Sequence, residues 1–235
     1  MLEARIIKKR KHCTIDIDLC CKRGQLVALT GPSGTGKTTI IRTLAGLEKP
    51  DGGRITFNDS PWYDEKVNCW LPARKRRVGY VFQEHTLFPH LKVAGNVGFN
   101  CKDTGRVKEL LALLGISHLA ESMPHQISGG EKQRAALAQA LASDPQVLLL
   151  DEPFSALDHN TRLRLRRELK RLQAHLEIPI VLVTHDREEA SFLGDLRLEL
   201  SGDDIRNEEP ALPKDYICPF PVLVRQPAPC ASHPL

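Results

Sequence analysis

Gln25-Leu-Val-Ala-Leu-Thr30, followed at once by Gly31-Pro32-Ser33-Gly34-Thr35-Gly36-Lys37-Thr38, is the stretch that decides the fold. The first six residues are a short, nearly continuous apolar run, the composition of a central strand covered on both faces. The next eight fit G-x-x-x-x-G-K-[ST] at the junction between that strand and a helix. Glycines at 31, 34 and 36 let successive backbone N–H groups curl around phosphate oxygens, and the start of the helix adds the positive end of its dipole. Lys37 is expected to reach the β- and γ-phosphates of a nucleotide and Thr38 to offer its hydroxyl to Mg2+, with Thr39 continuing the ATP-binding surface. A glycine-rich turn without a ligand would explain the glycines but not the adjacent Lys37 and Thr38.

Val147-Leu-Leu-Leu-Asp151-Glu152 is a second apolar run, ending in two carboxylates at the edge where open α/β sheets place their ligands. Asp151 is expected to hold the Mg2+ shell and Glu152 to polarise an attacking water as general base. Ile180 to Thr184 is a third such run. Helical patterns lie between: Lys37 to Ala45 ending at Gly46, Arg106 to Leu114 ending at Gly115, Gly130 to Ala142, and Asn160 to Leu176. Their alternation with the strands predicts an α/β core. Thr14 to Leu19 and Arg54 to Phe57 instead alternate apolar with polar residues, the period of a half-buried antiparallel sheet. The interval of about 84–143 carries helix patterns and no buried strand, so a helical subdomain is expected there, inside a nucleotide-binding domain spanning 1–202. Seven prolines beyond Gly202 predict an extended or disordered tail over 203–235, with no room for a regulatory domain.

Composition narrows the class. With 235 residues and 41% hydrophobic content the chain can bury one sizeable core and a smaller subdomain. No apolar run approaches the roughly 20 residues of a membrane span, and the charged start MLEARIIKKRKH is unlike a secretory leader. Seven scattered cysteines without a C-x-x-C pair read as reduced thiols rather than a zinc site. A formal charge of +4 reads as an ordinary solvated surface, so no nucleic-acid partner is expected.

A phosphate loop and a strand-end acid are shared by many nucleotide-hydrolysing families. Ile127-Ser128-Gly129-Gly130-Glu131-Lys132-Gln133-Arg134, placed before a helix, closely resembles the LSGGQ signature of ATP-binding cassette proteins. Ser128 and the backbone of Gly129 and Gly130 at a helix start make a second anion site, with Glu131 in its first turn. The resemblance implies that two chains pair head to tail, each ATP lying between one subunit's Lys37 loop and the other's Ser128 loop. Three further stretches fall in the order of that family. Val81-Phe-Gln83-Glu resembles the loop whose glutamine touches Mg2+ and the attacking water. Ser155-Ala-Leu-Asp158 resembles the loop that crosses the dimer interface, and Thr184-His185-Asp186 resembles the segment whose histidine contacts the γ-phosphate. Within the resemblance, Trp70 to Gln83 and Leu87-Phe-Pro-His90-Leu look most like the ATPase subunits of molybdate importers, and importers of sulfate, iron, polyamines and thiamine share parts of these stretches. It implies an ATP-hydrolysing homodimer on the cytoplasmic face of a membrane, with permease subunits and an upstream substrate-binding protein, driving uptake of molybdate or tungstate.

The family usually stacks an aromatic residue on adenine ahead of the phosphate loop, yet no Phe, Tyr or Trp precedes Phe57. His12, or a cation among Lys8 to Lys11, is the expected substitute. In the helix from Asn160, Leu165, Leu169, Leu172 and Leu176 form an apolar stripe, while Arg162, Arg166 and Lys170 are expected on a solvated basic face.

Overall fold

The structure is a computed structural model that describes residues 1–11, 13–83 and 87–200 together with the backbone of 205–208. Its core is a six-stranded sheet ordered β11-β10-β3-β9-β8-β7. The strands are β3 (Leu26–Thr30), β7 (Val78–Val81), β8 (Val147–Asp151), β9 (Ile180–Val183), β10 (Leu196–Leu200) and β11 (Ile205–Glu208). All neighbouring pairs are parallel except β10 with β11. β3, β8 and β9 are buried at every residue, which is why they read as unbroken apolar runs instead of alternating ones. β11 carries the sheet past the expected domain boundary at 202, because it pairs in register with β10 from Leu200↔Ile205 to Arg197↔Glu208. The rest of the proline-rich tail lies outside the described residues.

A second, antiparallel sheet is ordered β2-β1-β4-β5-β6, from β1 (Leu2–Lys9), β2 (Thr14–Cys21), β4 (Gly52–Phe57), β5 (Ser60–Asp64) and β6 (Cys69–Trp70). Along β1 and β2 the buried side chains alternate with more exposed ones: Leu2, Ala4 and Ile6 on one, Ile15, Ile17 and Leu19 on the other.

The strand pleat divides the core in two. Val27, Leu29, Val147, Leu149, Val181 and Val183 point to a cluster shared with the antiparallel sheet and with α1 (Lys37–Ala45). Leu26, Ala28, Leu148, Leu150 and Leu182 point the other way. There they meet α4 (Gly129–Ala142), α5 (His159–Gln173) and α6 (Arg187–Leu193), through residues such as Ala135, Leu165, Leu169 and Leu193. Two further helices, α2 (Val93–Val97) and α3 (Thr104–Leu113), add Val93, Val97, Leu110 and Leu111 to this second cluster. The helical segment therefore shares a continuous core with the sheet. Its seam is tight: a Cβ on Gly79 of β7 would come within 2.8 Å of the Ala140 carbonyl oxygen on α4.

Two buried polar residues fix loops that the site uses. Asn96 donates from Nδ2 to the carbonyl oxygens of Phe88, Leu91 and Lys92 and accepts from the Phe88 N–H, which closes the turn before α2. Arg76, 4% exposed, donates to the carbonyl oxygens of Thr43 and Leu44 at the end of α1 and to those of Leu71 and Trp62, with its guanidinium 5.2 Å from the Trp62 ring centroid. One arginine thus joins the phosphate-loop helix to the antiparallel sheet.

Candidate functional site

The loop from Gly31 to Gly36 leaves β3 and enters α1 at its N-terminal end. Gly36 sits at φ 101°, and a Cβ there would lie 2.3 Å from Ile15 Cδ1 of β2; only glycine permits this shape and this approach of the second sheet. Gly34, at φ 85°, takes a left-handed backbone conformation with open space where its Cβ would be. Thr35 Oγ1 donates to the Pro32 carbonyl oxygen, and Arg10 Nη1 donates to that of Gly34 across the loop. Pro32, Ser33 and Thr38 are exposed and Thr39 half-buried.

Asp103, Ser128, Asp158 and Asp186 cap α3, α4, α5 and α6 by accepting backbone N–H groups. At the start of α1 no side chain does so. Its first N–H groups are left for an anion, as the sequence pattern requires. Lys37 is 5% exposed and its Nζ bonds the Gly31 and Pro32 carbonyl oxygens of its own loop, at 2.7 and 2.8 Å. Burial lowers its pKa, while Glu152 and Asp151 oppose the shift.

Asp151 ends β8, buried, with Oδ1 3.4 Å from Thr38 Oγ1 and Oδ2 accepting from the Tyr80 hydroxyl at 3.0 Å. Burial pushes its carboxyl up, while the Tyr80 and Thr38 hydrogen bonds resist. The same pairing and burial raise the Tyr80 phenol, which stays protonated as a donor. In an unbroken strand the next side chain would face away. Glu152 instead takes φ 45°, and its carboxylate turns to the same edge of the sheet. There its Oε2 lies 3.1 Å from His185 Nδ1 and 3.4 Å from Gln83 Nε2. A hydrogen bond to that carboxylate places a proton on Nδ1 of His185.

The phosphate loop, Thr38, Asp151, Glu152, Gln83 and His185 therefore converge from β3, β7, β8, β9 and α1 at one sheet edge. A hydroxyl and a carboxylate at 3.4 Å are the hard oxygen donors a magnesium ion takes, so Thr38 and Asp151, with Gln83 nearby, fit the expected metal.

The signature lies on the other face of the sheet. Ser128 Oγ accepts from the Glu131 N–H, and Glu131 Oε2 accepts from the Ser128 N–H and hydroxyl, which closes a capping box. These bonds from Ser128 hold Glu131 below the usual carboxylate range. Cβ atoms on Gly129 and Gly130 would lie 3.2 Å from Leu157 Cδ2 and 2.7 Å from Thr161 Cγ2, so both glycines let α4 seat against α5 and the loop before it. Ser155 donates to the Glu152 carbonyl oxygen, and Asp158 caps α5 through the Thr161 N–H.

His12, the expected adenine contact, lies outside the described residues. The basic face expected on α5 is corrected: Arg166 is 5% exposed and paired with Asp186 and Glu189, Arg162 also reaches Asp186, and Lys170 reaches Asp195. Folding α6 against α5 brings acids to these cations. Tyr80 and Asp186 stood inside motifs quoted from the sequence without a role, and their polar partners lie on other elements.

Such a parallel sheet, with an uncapped helix behind a glycine loop and two carboxylates at the end of a strand one removed from it, defines a phosphate-loop nucleotide-binding protein. The profile of the ABC transporter family matches residues 15–155, and the chain belongs to that family. It is 50% identical over 190 residues to the sulfate/thiosulfate import ATP-binding protein of Agrobacterium fabrum, covering 77% of this chain and 54% of that protein. It is 46% identical over 186 residues to the molybdenum import ATP-binding protein of Methylococcus capsulatus, covering 77% and 52%. The chain spans about half the length of these curated relatives. Among solved structures it is similar to the dimeric, post-hydrolysis state of the ATP-binding cassette MJ0796 bound to ADP and Pi, with a TM-score of 0.70 and 28% identity over 88% of this chain and 98% of that one. The fold is that of an ABC ATPase.

Proposed function

We propose that the chain hydrolyses ATP as the engine of a membrane importer of a small oxyanion, acting as a homodimer beneath a transmembrane permease that receives cargo from a substrate-binding protein. The observation that carries this is the meeting of Glu152, His185 and Gln83 beside the Thr38–Asp151 pair and the Lys37 loop. Gly31 to Thr39 cradle the phosphates through backbone N–H groups, and Lys37 exchanges its loop carbonyl oxygens for phosphate oxygens. Glu152 accepts a proton from the attacking water, His185 and Gln83 hold that carboxylate in place, and no covalent intermediate forms on the protein. Thr38, Asp151 and Gln83 would hold Mg2+, which neutralises phosphate charge when bound.

The homodimer is supported by the division of the site. α1 with its loop and α4 with Ser128 pack on opposite faces of the sheet, so a single chain does not wrap one nucleotide with both. The dimeric state of the similar solved cassette agrees. For the permease, exposed Phe82, which precedes Gln83 in the chain, and exposed Phe99, 4.4 Å from the Phe88 ring, are apolar side chains open to contact. On this reading the chain acts as a peripheral protein on the cytoplasmic face of the membrane. The cargo reading rests on relatives named for sulfate/thiosulfate import and on others named for molybdenum import, which together support a small oxyanion.

The test is Mg2+-dependent ATP hydrolysis by the purified chain, followed by uptake of labelled molybdate and sulfate in vesicles holding the chain with the permease that co-purifies with it. Absence of hydrolysis with that permease present would refute the engine, and uptake of neither anion would refute the cargo.

A further inference from the structure

We infer that Arg166, on α5 and outside every motif of the site, is a positioning residue that sets the His185–Glu152 contact. This rests on the reading of that pair as the hydrolytic machinery. The His185 ring bonds Glu152 and its side chain is otherwise 56% exposed, so little packing holds it. A small cavity bordered by Glu152, Arg162, His185, Asp186 and Glu189 lies beneath it. Its place is therefore set by its backbone, and that backbone is fixed one residue further on. Asp186 donates its N–H to Thr184 Oγ1, while Asp186 Oδ1 accepts from the Glu189 N–H to cap α6.

The remaining Asp186 oxygen, Oδ2, bonds Arg166 Nη2, which also donates to Glu189 Oε2 at 3.0 Å. Arg162, one turn earlier on α5, stands 3.7 Å from the same Asp186 oxygen and donates to the Leu157 carbonyl oxygen. Glu189 is 3% exposed, and removing its guanidinium partner would leave a buried carboxylate unpaired beneath the His185 segment. A single Arg166 nitrogen, Nη2, thus ties two carboxylates at the first turn of α6.

Arg166→Leu, Arg166→Lys and Glu189→Gln are the variants to compare with His185→Ala. Displacing a reacting group by about an ångström costs on the order of a hundredfold in rate. Arg166→Leu should lower kcat by about tenfold to a hundredfold while ATP binding to the Lys37 loop is retained. Arg166→Lys and Glu189→Gln, which keep the fold's charge or shape, should lie between it and the parent chain. In the His185→Ala background Arg166→Leu should have no further effect. An equal loss of kcat in that background, or an unchanged kcat in all three variants, would overturn the inference. A readout free of turnover is the imidazole NMR signal of His185 in isotope-labelled protein: Arg166→Leu should move it as Glu152→Gln does, and an unmoved signal in folded protein refutes the positioning role. Loss of hydrolysis in the parent chain itself would instead count against the proposed function, and the imidazole signal would still decide on Arg166.

Discussion

Glu152 shows how much a single backbone angle decides. At φ 45° it pays back the pleat of β8, so that two consecutive carboxylates serve one site. Glu152→Gln keeps that shape and removes the base. The expected outcome is ATP binding and dimerisation with hydrolysis reduced by about 10²- to 10⁴-fold, measured as phosphate release and by gel filtration with ATP. Gly36 is the second such position. Gly36→Ala would place a methyl at φ 101° against Ile15, so we expect weaker ATP binding and a loss of about 1 to 3 kcal/mol in denaturant unfolding. Lys37, Thr38, Asp151 and Glu152 were legible in the sequence because each lies next to a strand that announces itself. Tyr80 was not, since its partner Asp151 is 71 residues away, and Arg166 was misread because a helix pattern shows which residues face solvent only after neighbouring helices are placed.

At the scale of elements, α4 begins with a cap that has two duties. Ser128→Ala removes the capping hydroxyl and should cost about 1 kcal/mol of stability, read from chemical denaturation. If the same residue also serves the partner's nucleotide, hydrolysis should fall by more than that small loss explains. Arg76 is the tie at the other end of the phosphate-loop helix. Arg76→Leu takes a donor from four carbonyl oxygens, of which only those of Thr43 and Trp62 keep a loop N–H, and should destabilise the chain by about 3 kcal/mol, measured by the unfolding midpoint. The central strands could be read beforehand because burial on both faces leaves an unbroken apolar run. β10 carried its period in Leu196, Leu198 and Leu200, but five residues are a weak signal; β6 has two residues and α6 seven, too few for any period to emerge.

For the whole molecule, the decisive arrangement is that the starts of α1 and α4 lie on opposite faces of one sheet. Lys37→Ala and Ser128→Arg should each be inactive alone, yet mixing them should restore hydrolysis. In the mixed dimer one interface combines both defects and the other combines neither, so activity should follow heterodimer formation in a titration of one variant into the other. Additive inactivity across every mixing ratio would rule out shared sites. The pairing of two chains was expected from a resemblance, whereas the separation of the two helix starts became visible only when alternate residues of β3, β8 and β9 sorted into two cores.

That sheet also has a genetic consequence. If two copies pair as proposed, a lesion on one face spoils one interface of a mixed dimer and leaves the other whole, so in a cell making both versions the defect would be inherited as recessive or at most partly dominant.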